Sequence, residues 1–306
     1  MTRIYVVGSL NMDLVVAVPR LAREGETLAG GDLALIPGGK GANQACAAAK
    51  LGGQAVMIGQ VGEDVFGTKL IEGLRAAGAD TAGIGISVGA TGTAFIAVLP
   101  SGENSILISP GANAKLTAEL AMARLANAGQ GSFLLCQLEV PLTTVEAVLT
   151  YARAHGVTTI LDPAPAQPLT PRLLGCVDWL TPNQTEAELL LGAADGSVCT
   201  FADARDAAQR LREAGPRGVI VKLGSLGCYI SSPDADGPVE GFSVSAVDTT
   251  AAGDTFNGAL AVALAEGKPI LEAAAFANAA GAISVTRAGA QSSIPSREEI
   301  NRFLRR

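Results

Sequence analysis

Short apolar runs alternate along this chain with longer segments of helical pattern, and glycine-rich turns separate them. The apolar runs at 4–7 and 55–60, for example, flank an alanine-rich helical pattern at 42–51. A strand followed by a helix and then by another strand is typical of a parallel sheet covered by helices. The sequence therefore predicts an α/β fold with a central, mostly parallel sheet flanked by helices.

The same alternation continues to the end of the chain. Further strands are predicted at 133–137, 158–161, 179–180, 218–222, 228–231 and 241–243. Helices are predicted at 67–77, 118–127, 142–155, 170–175, 184–191, 200–214, 254–266 and 270–286. No stretch of repeats or low complexity divides them, so we expect a single α/β domain over residues 1–306.

Two segments, about 12–36 and 91–109, break the alternation. In the second, apolar runs at 93–99 and 104–108 flank a turn that contains glycine, which is typical of a β-hairpin. We expect the two segments to form a small separate sheet that is inserted into the α/β unit.

Composition excludes several classes of protein. The net charge is −7, which argues against non-specific binding of nucleic acid or of an anionic membrane surface. No apolar run approaches the ~18 residues of a membrane span, and the start of the chain lacks the pattern of a signal peptide. The five cysteines are odd in number and widely spaced, which favours a reducing, cytoplasmic compartment over a disulfide framework.

The segment 247–256 carries the strongest local pattern: a strand-like end, small residues, and then a helix. Backbone N–H groups of Ala251, Ala252 and Gly253 at a helix start would suit a phosphate. Asp254, directly beside them, could accept a proton from a hydroxyl group. The alternative is that Asp254 only caps the helix.

The segment 37–44 exposes backbone at its glycines and supplies the polar groups of Lys40 and Asn43. It is not a P-loop, because Ala34 stands where the first glycine is required and Gly41 follows the lysine. Nor is it a dinucleotide fingerprint, because Gln44 replaces the third glycine. A ligand-binding loop and a flexible turn before a helix both remain open.

Three weaker patterns also carry polar groups. Asn11 and Asp13 follow the first strand and suit vicinal sugar hydroxyls, or simply form a turn. Asn183 and Glu186 lie one helical turn apart and could hold a hydrated Mg²⁺, or simply begin a helix. The turn at 222–227 could cradle a nucleotide.

These five patterns occur in one order and together resemble the PfkB family of sugar kinases, most closely its ribokinase branch. The stretches GGKGANQA and VDTTAAGDTFNGAL carry most of the resemblance, which extends from Gly8 to Gln291. It implies a ribokinase-like (Rossmann-like) α/β fold with a β-sheet lid that pairs across a homodimer. It also implies ATP-dependent phosphorylation of D-ribose at O5, giving D-ribose 5-phosphate and ADP.

The resemblance assigns roles residue by residue. Asp254 would be the general base, with residues 251–254 as the anion hole for the transferring phosphoryl group. The sugar would be held by Asn11, Asp13, Gly39, Lys40, Asn43, Glu139 and Asp254. ATP would be held by Asn183, Lys222, Gly224, Ser225, Gly227, Gly253 and Asn278, with Mg²⁺ tied through water to Glu186. An activating K⁺ would be held by Asp248, Thr250, Ser284, Arg287, Gly289 and Ser293.

Other functions remain open at this stage. Within the family, the substrate could be 2-deoxyribose, fructose or a nucleoside. A Rossmann-type oxidoreductase is disfavoured because the GxGxxG fingerprint is missing. A non-catalytic sugar sensor on a kinase fold is also possible, since a fold does not fix a function.

Overall fold

The computed structural model describes residues 2–305 of the chain. Its strands are β1 (Arg3–Val7), β2 (Asn11–Ala17), β3 (Leu33–Gly38), β4 (Gln54–Gly62), β5 (Asp80–Ser87), β6 (Gly92–Val98), β7 (Asn104–Ser109), β8 (Phe133–Cys136), β9 (Thr158–Leu161), β10 (Trp179–Leu180), β11 (Gly218–Lys222), β12 (Gly227–Ser231) and β13 (Asp236–Glu240). Its α-helices are α1 (Lys40–Lys50), α2 (Val65–Ala76), α3 (Ala118–Leu125), α4 (Leu142–Ala154), α5 (Pro171–Leu174), α6 (Gln184–Leu191), α7 (Phe201–Glu213), α8 (Ala252–Ala265), α9 (Ile270–Ser284) and α10 (Arg297–Phe303).

Nine strands form the main sheet, in the order β13-β12-β11-β10-β9-β8-β1-β4-β5. The seven strands from β11 to β5 in that order run parallel to their neighbours. Only β12 and β13 pair antiparallel, at one edge. The prediction of a mostly parallel sheet flanked by helices is confirmed.

The main sheet separates two hydrophobic clusters, and β1 illustrates how the sequence builds both. Ile4 and Val6 point into one cluster, while Tyr5 and Val7 point into the other, because successive side chains of a strand face opposite ways. Helices α1, α8 and α9 supply much of the first cluster. Helices α3, α4 and α7 supply much of the second.

A second sheet of four strands has the order β3-β2-β6-β7. Its central strands β2 and β6 are parallel, and each pairs antiparallel with an outer strand. The large apolar side chains exposed on this sheet are Leu33, Leu35, Phe95, Ile106, Leu107 and Ile108. Leu33, Leu35, Phe95 and Leu107 lie on one face of this sheet, and Ile106 and Ile108 lie on the other, so both faces expose apolar side chains in the isolated chain.

Three local predictions differ from the structure. Strand β5 was not predicted, because Gly83 and Gly85 interrupt its apolar run. The strand expected at 241–243 lies instead at Asp236–Glu240, where an edge position tolerates proline. The final helix α10 was missed because it is short and mostly polar.

Within residues 2–305, no helix has both the length and the apolar character of a membrane span.

Candidate active site

Asp254 lies in the first turn of α8 and its carboxylate points at α1. Oδ2 accepts a hydrogen bond from Asn43 Nδ2 at 2.9 Å, and Oδ1 accepts one from Gln44 Nε2 at 3.1 Å. The N-cap of α8 is Ala251, in a left-handed conformation with φ 58°, and no side chain caps this helix. The alternative prediction that Asp254 serves as a helix cap is therefore wrong.

Small residues allow α8 to approach α1 this closely. A Cβ atom added to Gly258 would lie 2.6 Å from the Cβ of Ala47 and 2.8 Å from the carbonyl oxygen of Gln44. No larger side chain fits at that crossing without moving a helix. The alanine-rich pattern of α1 thus serves to bring the amides of Asn43 and Gln44 against Asp254.

Burial has the largest effect on the ionisation of Asp254, which is only 5% exposed. Desolvation raises the pKa of Asp254 to about 6 and nearby Asp162 adds to the increase, whereas Lys40 and the amide hydrogen bonds oppose it. Burial alone would lower the pKa of Lys40, but surrounding carboxylates, Asp254 first among them, raise it instead. A cationic lysine thus stands beside a carboxylate that is ionised near neutral pH.

A cavity of about 570 Å³ opens on one side of Asp254. Lys40 lines it, together with the backbone of Ala251, Ala252 and Gly253 at the start of α8. The residues predicted for the nucleotide side all line the same cavity: Asn183, Glu186, Lys222, Gly224, Ser225, Gly227, Gly253 and Asn278. The structure thus brings together segments that are far apart in the sequence.

Asn183 and Glu186 form a capping box at the start of α6. The Asn183 side chain accepts from the backbone N–H of Glu186, and the Glu186 carboxylate accepts from the Asn183 backbone and side chain. Burial raises the pKa of Glu186, while Lys222 opposes the increase. The predicted helix-start role is therefore present, and the same carboxylate also faces the cavity.

Lys222 ends β11 and forms a buried ion pair with Asp162, with 3.1 Å between Nζ and Oδ1. A Cβ on Gly253 would lie 3.4 Å from the Lys222 ammonium, so this cation reaches the start of α8. None of the sequence motifs contains Asp162. Its position directly after β9 was the available clue, because ligands in parallel α/β sheets bind beyond the carboxyl ends of the strands.

Asn11 and Asp13 lie within β2, so the alternative prediction that they form a turn is wrong. The Asp13 carboxylate packs against β3 so tightly that a Cβ on Gly38 would lie 2.3 Å from its Oδ2. Burial raises the pKa of Asp13 to about 7, and the charges of Glu139 and Asp254 add to the increase. Asp13 therefore belongs to the same acidic cluster as Asp254.

Glu139 anchors the glycine loop before α1. Its Oε2 accepts from the Ser9 hydroxyl and, at 3.0 Å, from the backbone N–H of Lys40. Gly39 precedes the helix with φ 87°, a conformation that favours glycine. The turn is thus fixed from across the sheet by a carboxylate that the resemblance assigned to sugar binding.

Asn113 is a further residue that the sequence analysis did not identify. It is 1% exposed. Its side-chain oxygen accepts a hydrogen bond from the backbone N–H of Leu10, and its Nδ2 donates one to the Leu10 carbonyl oxygen. The same Nδ2 also donates to Asn11 Oδ1 at 2.7 Å. The orientation of the Asn11 amide is therefore set by Asn113, which leaves the Asn11 NH₂ group free of that contact.

Asp248 links two of the segments that were predicted to hold a cation. Its carboxylate accepts from the backbone N–H of Thr250 at 2.9 Å and of Gly289 at 2.8 Å. The side chains of the other predicted ligands, Ser284, Arg287 and Ser293, bond to neighbouring groups. Within residues 2–305, no cluster of three His, Cys, Asp or Glu side chains could hold a metal ion.

Comparison with known proteins identifies the family. The family model described as pfkB family carbohydrate kinase matches residues 1–297. The chain belongs to the PfkB family of carbohydrate kinases.

Individual PfkB relatives resemble the chain over their whole length. It is 44% identical to a ribokinase of Haemophilus influenzae, over 98% of this chain and 97% of that protein. It is 36% identical to a deoxyribokinase of Salmonella typhimurium, over 98% of each. The structure of Arabidopsis thaliana ribokinase complexed with ribose and ATP has a TM-score of 0.91 and 34% identity, and 100% of each chain is covered.

Proposed function

We propose that this chain transfers the γ-phosphoryl group of ATP to O5 of D-ribose. The observation that carries the proposal is the position of Asp254, between the nucleotide-side cavity and the buried polar groups of Asn43 and Asp13. Full-length similarity to proteins named ribokinase supports ribose as the substrate. The chain acts as one α/β domain, with the four-stranded sheet as its lid.

Asp254 is the general base of the reaction. As O5 attacks the γ-phosphorus, the O5–H bond breaks and its proton passes to the Asp254 carboxylate. A new O5–P bond forms while the bond from the γ-phosphorus to the bridging oxygen breaks, and ADP leaves with that electron pair. The pKa of about 6 suits Asp254 to accept a proton near neutral pH.

The start of α8 stabilises the transferring phosphoryl group. N–H groups in the first turn of a helix lack partners within the helix, and the helix dipole adds positive potential there. Residues 251–254 contribute these groups, and the ammonium of Lys40 lines the same cavity. Phosphoryl transfer needs mainly positioning and charge stabilisation, so one base and one anion hole suffice.

The sugar lies on the opposite side of Asp254 from the nucleotide. Asp13 and the free NH₂ group of Asn11 bind its hydroxyls. Asn43 contributes its Oδ1 atom, which is buried without a hydrogen-bond partner in the structure. Gly39 and Glu139 complete this side, with Glu139 also holding the loop in place.

ATP occupies the cavity of about 570 Å³. Mg²⁺ prefers to keep several waters and to bind phosphates, so a single carboxylate in its outer shell fits this site. Glu186 supplies that carboxylate, and its two existing hydrogen bonds still leave lone pairs for water. When bound, Mg²⁺ would neutralise charge on the phosphates.

K⁺ would be held beside the anion hole by Asp248 and by oxygens of Thr250, Ser284, Arg287, Gly289 and Ser293. The site fits such an ion because Asp248 ties the segments around 250 and 289 together and carries a formal charge. Hydrogen bonding keeps the pKa of Asp248 low despite its burial, so this charge is present at neutral pH. A bound cation would strengthen the field at the start of α8.

The chain forms a homodimer through the lid. The apolar side chains of the lid, among them Phe95 at 50% and Leu107 at 71% exposed, would be covered by a second copy. Leu107→Asp should give monomers in analytical ultracentrifugation at a concentration where the unmodified protein is dimeric.

The five cysteines are free, which supports a reducing, cytoplasmic compartment.

An ADP-release assay with Mg-ATP tests the function directly. D-ribose, 2-deoxy-D-ribose, D-fructose and adenosine would be compared with and without K⁺. High kcat/KM on ribose that increases with K⁺ is expected. Turnover of another of these compounds would keep the kinase activity but change the assigned substrate. No turnover of any of the four would favour a non-catalytic sugar sensor.

Asp254→Asn tests the assignment of the base. A loss of kcat of at least about a hundredfold is expected, because a general base contributes about 10²–10⁴-fold. Ribose binding, measured by calorimetry, should persist because the amide keeps the shape of the side chain. Glu272 is exposed, so Glu272→Gln serves as a control, and its kcat and ribose affinity should equal those of the unmodified protein. Substantial turnover by Asp254→Asn would refute the assignment of Asp254 as the general base.

A further inference from the structure

Gln44 bridges two buried carboxylates. It lies in α1 with no exposed surface, and its Nε2 donates to Asp162 Oδ2 at 3.0 Å and to Asp254 Oδ1 at 3.1 Å. Its two N–H bonds are therefore divided between the two acids. No sequence pattern that we identified assigned a role to this side chain.

A second buried amide fixes the orientation of the first. Gln137 directly follows β8 and is fully buried, and its Nε2 donates to Gln44 Oε1 at 2.6 Å. A flipped Gln44 would face the Gln137 amide with its own NH₂ group and both carboxylates with its oxygen. Such a flip loses three hydrogen bonds and adds repulsion, so the NH₂ group stays on the acids.

We propose that Gln44 is a positioning residue that holds the Asp254 carboxylate in its proton-accepting orientation and keeps it ionised beside Asp162. The inference rests on the proposed role of Asp254 as the base of a sugar kinase. Asp254 accepts only two side-chain hydrogen bonds within residues 2–305, from Gln44 and Asn43. Without Gln44, its Oδ1 would face Asp162 with no donor between them.

The surrounding charges explain why the bridge affects ionisation. Lys40 in α1 faces Asp254 and favours its charged form, whereas Asp162 after β9 opposes it. Asp13 in β2 also lies within electrostatic range. Lys222 in β11 pairs with the oxygen of Asp162 that Gln44 does not contact. Gln44 therefore supplies the N–H groups that let two neighbouring carboxylates remain charged together.

The test measures kcat for ribose against pH, with saturating Mg-ATP and K⁺, in Gln44→Met and Gln44→Glu. Methionine keeps the volume but provides no donor, and glutamate keeps an acceptor for Gln137 while adding a third acid. We expect the acidic limb of the kcat profile to move up by about one pH unit in Gln44→Met, which lowers kcat at pH 6 by about fivefold more than at pH 8. The limb should move further in Gln44→Glu, and KM for ATP should change little in either.

Gln60→Met is the matched control, because Gln60 is another buried glutamine, in β4, and among residues 2–305 it makes no hydrogen bond to Asp162 or Asp254. It should leave the pH profile unchanged. A Gln44→Met enzyme whose kcat falls equally at all pH values, or not at all, would overturn the proposal and leave Gln44 a packing residue. If Gln44→Met does not fold, Gln44→Glu carries the test alone, and an unshifted acidic limb there would equally refute the inference. Absence of sugar phosphorylation by the unmodified chain would instead refute the proposed function.

Discussion

Asn43 Nδ2 donates a hydrogen bond of 2.9 Å to Oδ2 of Asp254, which lies 211 residues further along the chain. The donor belongs to the glycine-rich segment that begins α1, and the acceptor belongs to the first turn of α8. One contact thus joins the two most distinctive motifs of the sequence. It also leaves the other end of the Asn43 amide, Oδ1, buried without a hydrogen-bond partner among residues 2–305.

The pH dependence of kcat should show the ionisation of Asp254. Burial raises the pKa of this carboxylate to about 6, so it is protonated, and unable to act as a base, at a higher pH than an ordinary aspartate. We expect kcat to fall as the pH drops through 6, by about tenfold at pH 5. Steady-state rates between pH 5 and 8.5 measure this. A rate that stays constant down to pH 5 would contradict the assignment.

Asp13 should add a second acidic limb that appears in KM for ribose. Its pKa is raised to about 7 by burial, so KM should rise as the pH falls below 7 and the carboxylate is lost. Asp13→Asn should raise KM by about tenfold or more, because a hydrogen bond to a charged group contributes about 1.5–3 kcal/mol. The same variant should abolish the pH dependence of KM. Retention of that dependence would exclude Asp13 as its source.

Asn113 should affect sugar binding without touching the sugar. Asn113→Ala removes the donor that orients Asn11, so we expect KM for ribose to rise severalfold while KM for ATP stays within about twofold. The exposed Asn127→Ala is the control for loss of an amide elsewhere. Equal changes in both KM values would indicate a general disturbance of the fold rather than an effect on Asn11.

Two glycine-to-alanine substitutions should have opposite effects on stability. A Cβ on Gly41 would lie 2.6 Å from backbone atoms of Gly8 and Ser9, so α1 must shift, at a cost of about 1–3 kcal/mol. Gly73 is exposed within α2 with open space around it, and alanine there should stabilise by about 0.5–1 kcal/mol. Urea unfolding of both variants measures the difference. A Gly41→Ala protein as stable as the unmodified chain would contradict the close approach.

Local patterns in the sequence were sufficient to predict most of the architecture. The order of strands and helices follows from apolar periodicity and glycine-rich turns, which depend only on neighbouring residues. Elements were missed where that periodicity is weak, as in β5 with its two glycines and in the polar α10. Small residues before a helix start indicated Asp254, and the glycine-rich segment 37–44 indicated Lys40.

Tertiary structure alone decided how the polar groups are connected. Gln44 reaches Asp162 across 118 residues and Asp254 across 210, and Asn113 reaches Asn11 across 102. Nothing in the local sequence distinguishes these amides from ordinary helix or turn residues. Their roles follow from the close packing of α1 on α8 and from strand ends that meet at one edge of the sheet. Hydrogen bonds at such separations depend on where whole elements are placed, and a one-dimensional pattern does not encode that placement.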